Sequence, residues 1–291
     1  MPLSGTIPAL LTPFTPGGAE VDLGLLDAHV DWLHEHGVRT VSPMGTTGEG
    51  ASLSAGERKR LIERLTDHPS GVDLVPGTGC TNLPETIDLS RFAVEQGVAA
   101  VLVAPPTYYV PEDVGLLDYY SHLLEALPDE ARVVLYHIPR QTRVPISADV
   151  IRTLLDRFGP KVGGVKDSGR DFEHTQRLLE EFPELAILNG SDAQAARTYA
   201  VGGPGVISAT ANVLPAEYER IRVGDASAQE LVTQVRELAD GLPVQAALKL
   251  VLSLASGLER SAVRPPLREL EAAEVRHAEI RFAELRSTAG V

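Results

Sequence analysis

The sequence predicts an α/β fold, a (β/α)₈ barrel of the TIM type, followed by three further helices. Three observations carry this. Short β-branched apolar runs alternate with helix-like stretches eight times, the pattern of βα units around a parallel sheet. No linker, internal repeat or low-complexity tract interrupts them. A chain of 291 residues is long enough for one such barrel, which takes about 250.

The first run, 7–11, ends in Thr12-Pro13-Phe14, and its helix runs out at His34-Glu35-His36 before a Gly37 stop. The second, 38–44, leads through Gly45-Thr46-Thr47-Gly48-Glu49 to a helix Ala55–Thr66, where Ser54 and Glu57 have capping-box spacing. After the third, 72–76, come Thr78-Gly79-Cys80-Thr81 and a helix opened by Asn82-Leu83-Pro84-Glu85. The fourth, 99–104, ends in Pro106-Thr107-Tyr108-Tyr109, and the fifth, 132–138, contains Tyr136-His137-Ile138 and leads to Pro139-Arg140. The sixth, 162–165, presents Lys166-Asp167-Ser168-Gly169; the seventh, 185–188, presents Asn189-Gly190-Ser191-Asp192; the eighth, Gly205–Ser208, leads to Ala209-Thr210. Helical patterns at Ala226–Asp240, Val244–Ser256 and 266–287 follow without any strand signal. The expected division is a catalytic barrel at 1–224 and a C-terminal helical extension at 225–291 packed on it.

In such a barrel the C-terminal ends of the strands form the active-site mouth. Hydroxyls, tyrosines and one lysine gather there, and no pair of histidines does, so the paired ligands of a metal-dependent hydrolase are not expected. The chain has only four lysines, Lys59, Lys161, Lys166 and Lys249. Lys59 lies in a charged helical run, Lys249 on an apolar helix of the extension, and Lys161 at the wrong end of its strand. Lys166 stands at the end of a buried strand, where an amine can be kept unprotonated and attack a carbonyl. Tyr136 is placed to handle the proton such an attack requires, with Thr46 and Thr47 as a hydroxyl relay.

Composition sets the outer bounds. With 26 Lys+Arg against 40 Asp+Glu the formal charge is −14, and the longest basic run is Arg58-Lys59-Arg60, so neither nucleic acid nor an anionic membrane is an expected partner. Cys80 is the single cysteine, and the N-terminal residues lack the pattern of an export signal, which together predict a cytoplasmic protein. Gly45-x-x-Gly48-x-Gly50 lacks the dinucleotide-binding spacing.

Four motifs taken together, Gly45-Thr46-Thr47-Gly48-Glu49, Tyr136-x-x-Pro139, Gly164-Val165-Lys166-Asp167 and Gly205-Val206-Ile207-Ser208, resemble the dihydrodipicolinate synthase / N-acetylneuraminate lyase superfamily of pyruvate-dependent aldolases. The resemblance covers nearly the whole chain. It implies a class I mechanism with no cofactor beyond a covalent lysine imine: Lys166 as the imine-forming lysine, Tyr136 as the general acid/base, and Thr46 linking it to a second tyrosine. Tyr108 matches that second tyrosine, which in this family reaches in from a neighbouring subunit, so a homotetramer built as a dimer of dimers is implied. Thr47, with its backbone and the Gly45 turn, matches the holder of the pyruvate carboxylate. Ile207 matches the residue whose carbonyl faces the intermediate, and Gly190 a close-approach glycine. Arg140 is a further candidate for substrate contact, and His137, beside Tyr136, either touches substrate or supports the residues that do.

One departure bears on substrate. The synthases resemble Tyr-Asn-x-Pro-x-Arg-Thr-Gly here, where the arginine binds a dicarboxylic substrate; this chain reads Tyr136-His137-Ile138-Pro139-Arg140-Gln141-Thr142-Arg143. Gln141 in the arginine's place favours an aldolase acting on 2-keto-3-deoxy sugar acids, joining or releasing a 2-keto acid and an aldehyde. A 4-hydroxy-tetrahydrodipicolinate synthase condensing pyruvate with aspartate semialdehyde is the alternative. A catalytically silent binding or regulatory relative is the remote one.

Overall fold

The structure, a computed structural model, describes residues 3–289; Met1 and Pro2, and the last two residues of the expected extension, Gly290 and Val291, lie outside it. Eight strands appear in the expected order: β1 (Gly5–Pro8), β2 (Thr40–Val41), β3 (Asp73–Leu74), β4 (Val101–Val103), β5 (Val133–His137), β6 (Val162–Asp167), β7 (Ala186–Asn189) and β8 (Gly205–Ser208). Six pair in parallel in the order β1-β8-β7-β6-β5-β4, and β2 pairs with β3. Backbone hydrogen bonds close the two remaining seams. Ser42 N donates to Pro8 O at 2.8 Å and Leu10 N to Ser42 O at 2.9 Å beside β2, while Leu102 N donates to Pro76 O at 2.8 Å and Thr78 N to Leu102 O at 3.0 Å beside β3. The sheet therefore closes into a barrel.

β2 and β3 are shorter than the apolar runs that predict them. Pro43 and Pro76 have no N–H for the ladder, and Met44 turns into the left-handed region at φ 61°, which ends β2 early.

Around the strands lie α1 (Leu23–Glu35), α2 (Ala55–Thr66), α3 (Leu83–Glu95), α4 (Asp113–Ala126), the single turn α5 (Pro139–Thr142), α6 (Ala148–Phe158), α7 (Phe172–Glu181), α8 (Ala195–Ala200) and α9 (Pro215–Arg222). The capping box of Ser54 and Glu57 opens α2, and Asn82 accepts from Glu85 N at the start of α3. Alternation along each strand sorts side chains into two apolar layers. Leu102, Val134 and Tyr136 pack inside the barrel, whereas Val101, Val103, Val133 and Leu135 pack outward against the helices.

The extension consists of α10 (Ala226–Asp240), α11 (Val244–Ser256) and α12 (Ala272–Ala289). It shares apolar cores with barrel residues: Leu231, Val251 and Phe282 join Val206 of β8, and Ala239, Leu248 and Ala278 join Leu11 and Ala209. α12 begins six residues after the expected position. The preceding segment is held instead as a strap, in which the Arg264 guanidinium donates to the carbonyls of Gly18, Ala19 and Ser52 at 2.8–3.1 Å. Among the described residues no helix is long and apolar enough to cross a membrane.

Candidate active site

The site begins with β5 and β6, paired so that Tyr136 stands opposite Lys166 and His137 opposite Asp167. Because neighbouring residues point to opposite faces, Tyr136 and Lys166 both project into the barrel. Lys166 is 4 % exposed, and its Nζ lies 4.3 Å from the centre of the Tyr136 ring. Among the described residues the amine has no hydrogen bond and no carboxylate partner.

The Gly45–Gly50 turn approaches from β2. Thr46 Oγ1 stands 3.4 Å from Tyr136 Oη, a long contact that a small rotation would tighten. The turn is tightly built: Glu49 also holds a left-handed φ of 53°, and a Cβ on Gly50 would collide with the Met44 carbonyl. Thr12 Oγ1 donates to Gly48 O at 2.6 Å, Arg58 Nε donates to Gly50 O at 3.1 Å, and Gln245 of α11 donates to Thr46 O at 3.3 Å. The backbone N–H groups of Thr46 and Thr47 have no acceptor among the described residues, so both are available to an anion.

A cavity of about 90 Å³ opens over Lys166. Of the residues singled out in the sequence, Thr46, Thr47, Tyr136, Arg140, Lys166, Gly190 and Ile207 line it. At Gly190 a Cβ would crowd the Ser168 hydroxyl, which would have to turn away. Gly45 instead lines a neighbouring groove of about 700 Å³ that also touches Thr46 and Tyr136.

Two expected contacts are corrected or left incomplete by this chain. His137 does not line the cavity; one residue from Tyr136, it faces the opposite side of the sheet. There its Nδ1 accepts from Ile146 N at 3.1 Å and its ring stacks on His174 at 4.6 Å. Tyr108 is 78 % exposed on the loop after β4, edge-on to Tyr109 at 5.2 Å, and is absent from the cavity wall.

Behind Lys166, Asp167 accepts from Thr175 Oγ1 at 2.7 Å, His174 Nδ1 at 2.9 Å and Gly169 N at 2.9 Å. Burial pushes its pKa up, but these donors outweigh burial and hold it below the usual carboxylate range; the bond to Asp167 in turn raises that of His174. His137, Asp167 and His174 lie close enough to suggest a metal site. However, Asp167 already accepts from three donors, one of them His174, and His137 Nδ1 accepts from Ile146 N, so the cluster is held together by its own hydrogen bonds.

Gln141 lines the cavity as well, and three polar cavity residues are not among the candidates that the sequence offers: Ser168, Arg170 and Arg236. Position after a strand end marks the first two. Arg236 comes from α10, some 30 residues past the last strand, and no local signal reveals it. A further residue was undervalued: Lys249 is 1 % exposed, its Nζ 2.5 Å from Glu49 Oε1, while Glu49 Oε2 accepts from Arg264 N at 3.0 Å. Burial lowers the pKa of Lys249, and the Glu49 carboxylate opposes that shift.

The sequence profile of the Dihydrodipicolinate synthetase family matches residues 2–281. The chain belongs to this family. Its members are lyases, and this chain is a carbon–carbon lyase. It is 41 % identical over 278 residues to an uncharacterized DapA-like lyase of Chloroflexus aurantiacus, covering 93 % of each chain. It is 36 % identical over 281 residues to the 4-hydroxy-tetrahydrodipicolinate synthase of Methanopyrus kandleri, covering 92 % of this chain and 91 % of that one. Among solved structures it is similar to YagE, a prophage protein of the dihydrodipicolinic acid synthase family from E. coli K12 in complex with pyruvate. There the TM-score is 0.90 at 26 % identity, covering 97 % of this chain and 98 % of YagE.

Proposed function

We propose that the protein is a class I pyruvate-dependent aldolase that cleaves or forms the C3–C4 bond of a 2-keto-3-deoxy sugar acid through an imine on Lys166. The observation that carries this is the register-matched pair on β5 and β6: a buried amine without a carboxylate partner, 4.3 Å from the ring of a tyrosine that meets Thr46.

In the cleavage direction Lys166 Nζ adds to C2, and loss of water leaves a protonated imine. As the C3–C4 bond breaks, its electron pair moves toward the imine nitrogen to give an enamine. The proton of the C4 hydroxyl passes to the Tyr136 oxygen, whose own proton moves on through Thr46. The aldehyde departs, C3 is protonated, and water hydrolyses the imine to pyruvate and free lysine. The imine is itself the electron sink, so the step calls for no metal or organic cofactor. The two free N–H groups at Thr46 and Thr47 are suited to the keto acid's carboxylate, and pyruvate is the ligand named for YagE.

Condensation of pyruvate with aspartate semialdehyde, the reaction implied by the Methanopyrus relative's name, would use the same lysine. Gln141 at the cavity wall, where the synthases' motif has an arginine, weighs against it. The exposed Tyr108 fits a homotetramer in which it enters a neighbour's site, and a single free cysteine fits a reducing cytoplasm.

The test is borohydride trapping with pyruvate, followed by peptide mass analysis. The expected result is a reduced three-carbon adduct on Lys166. An unmodified Lys166 would overturn the mechanism, and with it the distinction from a silent relative.

A further inference from the structure

The charge of the cavity is the reverse of the charge of the chain. Across the sequence 40 Asp and Glu outnumber 26 Lys and Arg. The cavity wall nevertheless holds Lys166, Arg140, Arg170 and Arg236 and no aspartate or glutamate. Two carboxylates stand just behind it and bind one of these cations: Arg236 has Nη1 3.3 Å from Asp192 and Nη2 2.6 Å from Asp240. Arg170 commits only Nη2, 3.3 Å from Asp240. Arg140 forms no hydrogen bond or ion pair among the described residues.

Arg140 and Arg170 therefore offer guanidinium donors to a ligand, and they reach one small cavity from adjacent strand ends, α5 after β5 and the turn after β6. The second turn is firmly built. Arg170 holds a left-handed φ of 65°, its carbonyl accepts from Gln194 Nε2 at 3.0 Å, and Gly169 N is tied to Asp167. A non-glycine residue kept in that conformation at a cavity wall is the kind of strain a functional site retains.

The keto acid's own carboxylate is met by Thr46 and Thr47, which leaves two guanidiniums in excess of what pyruvate needs. Guanidinium groups of this kind recognise carboxylate or phosphate. An ammonium placed beside them would find no carboxylate on the wall, and its charge would be repelled. Resting on the aldolase reading above, we propose that the substrate is a 2-keto acid with a second anion at its far end and no amino group, clamped there by Arg140 and Arg170.

The clamp can be read apart from the chemistry, using sugar acids that lack a keto carbon and cannot form an imine. Calorimetry would compare gluconate, glucarate and 6-phosphogluconate. At least one of the two dianions should bind tenfold or more tighter than gluconate, with glucarate against 6-phosphogluconate telling carboxylate from phosphate. Arg140→Met and Arg170→Met should each bring that ratio toward one, and Arg170→Lys should keep part of it. In turnover with pyruvate, an aldehyde bearing a terminal carboxylate or phosphate and no amino group should exceed both glyceraldehyde and aspartate semialdehyde in kcat/KM. Equal affinity for one and two anions, a ratio unchanged in both methionine variants, or preference for aspartate semialdehyde would each overturn the proposal. Dianion preference without trapping on Lys166 would overturn the aldolase reading alone and support the clamp.

Discussion

Tyr136 and Lys166 owe their meeting to one register. In the proposed mechanism, removing the phenol leaves imine formation possible and breaks its proton route. Tyr136→Phe is expected to lower kcat about 10²–10⁴-fold, the range for a positioned acid/base group, while the pyruvate adduct on Lys166 is still trapped. Full activity in Tyr136→Phe would sink that role. A second residue bears on pH. His29 is 1 % exposed, its Nε2 3.3 Å from Asn212 O, and burial lowers its pKa to about 4. Below pH 6.5 the unfolded chain takes up a proton that the folded one refuses until about pH 4. Stability is therefore whole above pH 6.5 and falls as the pH drops through that window. At about 1.4 kcal/mol per unit, this group should cost about 2 kcal/mol between pH 7 and pH 5. Urea unfolding at both values should show the loss shrinking by that amount in His29→Leu; an unchanged loss would refute the assignment.

At the scale of elements, the turn carrying Thr46 and Thr47 is fastened to α11 through Glu49 and Lys249, partners 200 residues apart. Breaking a buried pair by removing one member strands the other charge. Lys249→Met should therefore destabilise the protein by about 3–5 kcal/mol, and the double variant Glu49→Gln/Lys249→Met should recover most of the loss. Equal denaturation midpoints for the single and double variants would show that the pair is not the fastening. The sequence made Glu49 legible only as part of a motif, and Lys249 only as a lysine on an apolar helix. Nothing local joins them. Strand parity, in contrast, was readable: residues 136 and 166 share the inner face, and by the same rule His137 had to point away. Of the two roles open to His137, that rule disfavours substrate contact and leaves the supporting one. Helix starts followed their caps at Ser54 and Asn82, whereas α12 started late because the Arg264 strap is a long-range construction.

For the whole molecule, Tyr108 and Tyr109 at 78 %, Val110 at 52 % and Val114 at 73 % stand exposed on the loop after β4 and at the start of α4. Exposed aromatic and branched side chains so placed accord with the proposed assembly. Sedimentation at micromolar concentration should give a four-chain species, with Val114→Asp shifting it toward smaller ones; a monomeric wild type would refute this. The barrel's closure also converts a scattered list of strand ends into one wall, where cations gather although the chain is acidic.

The sequence by itself determined the number and order of the βα units, because apolar alternation and capping are local properties. It also placed Lys166, alone among four lysines, at the C-terminal end of a barrel strand, and the family resemblance set Gln141 where the synthases' motif has an arginine. Only the tertiary structure decided that Arg236 from α10 and Arg170 from a strained turn share a wall with Arg140, that Lys249 anchors Glu49, and that His137 backs onto Asp167. Those depend on contacts between residues far apart in the chain, and no local pattern encodes them.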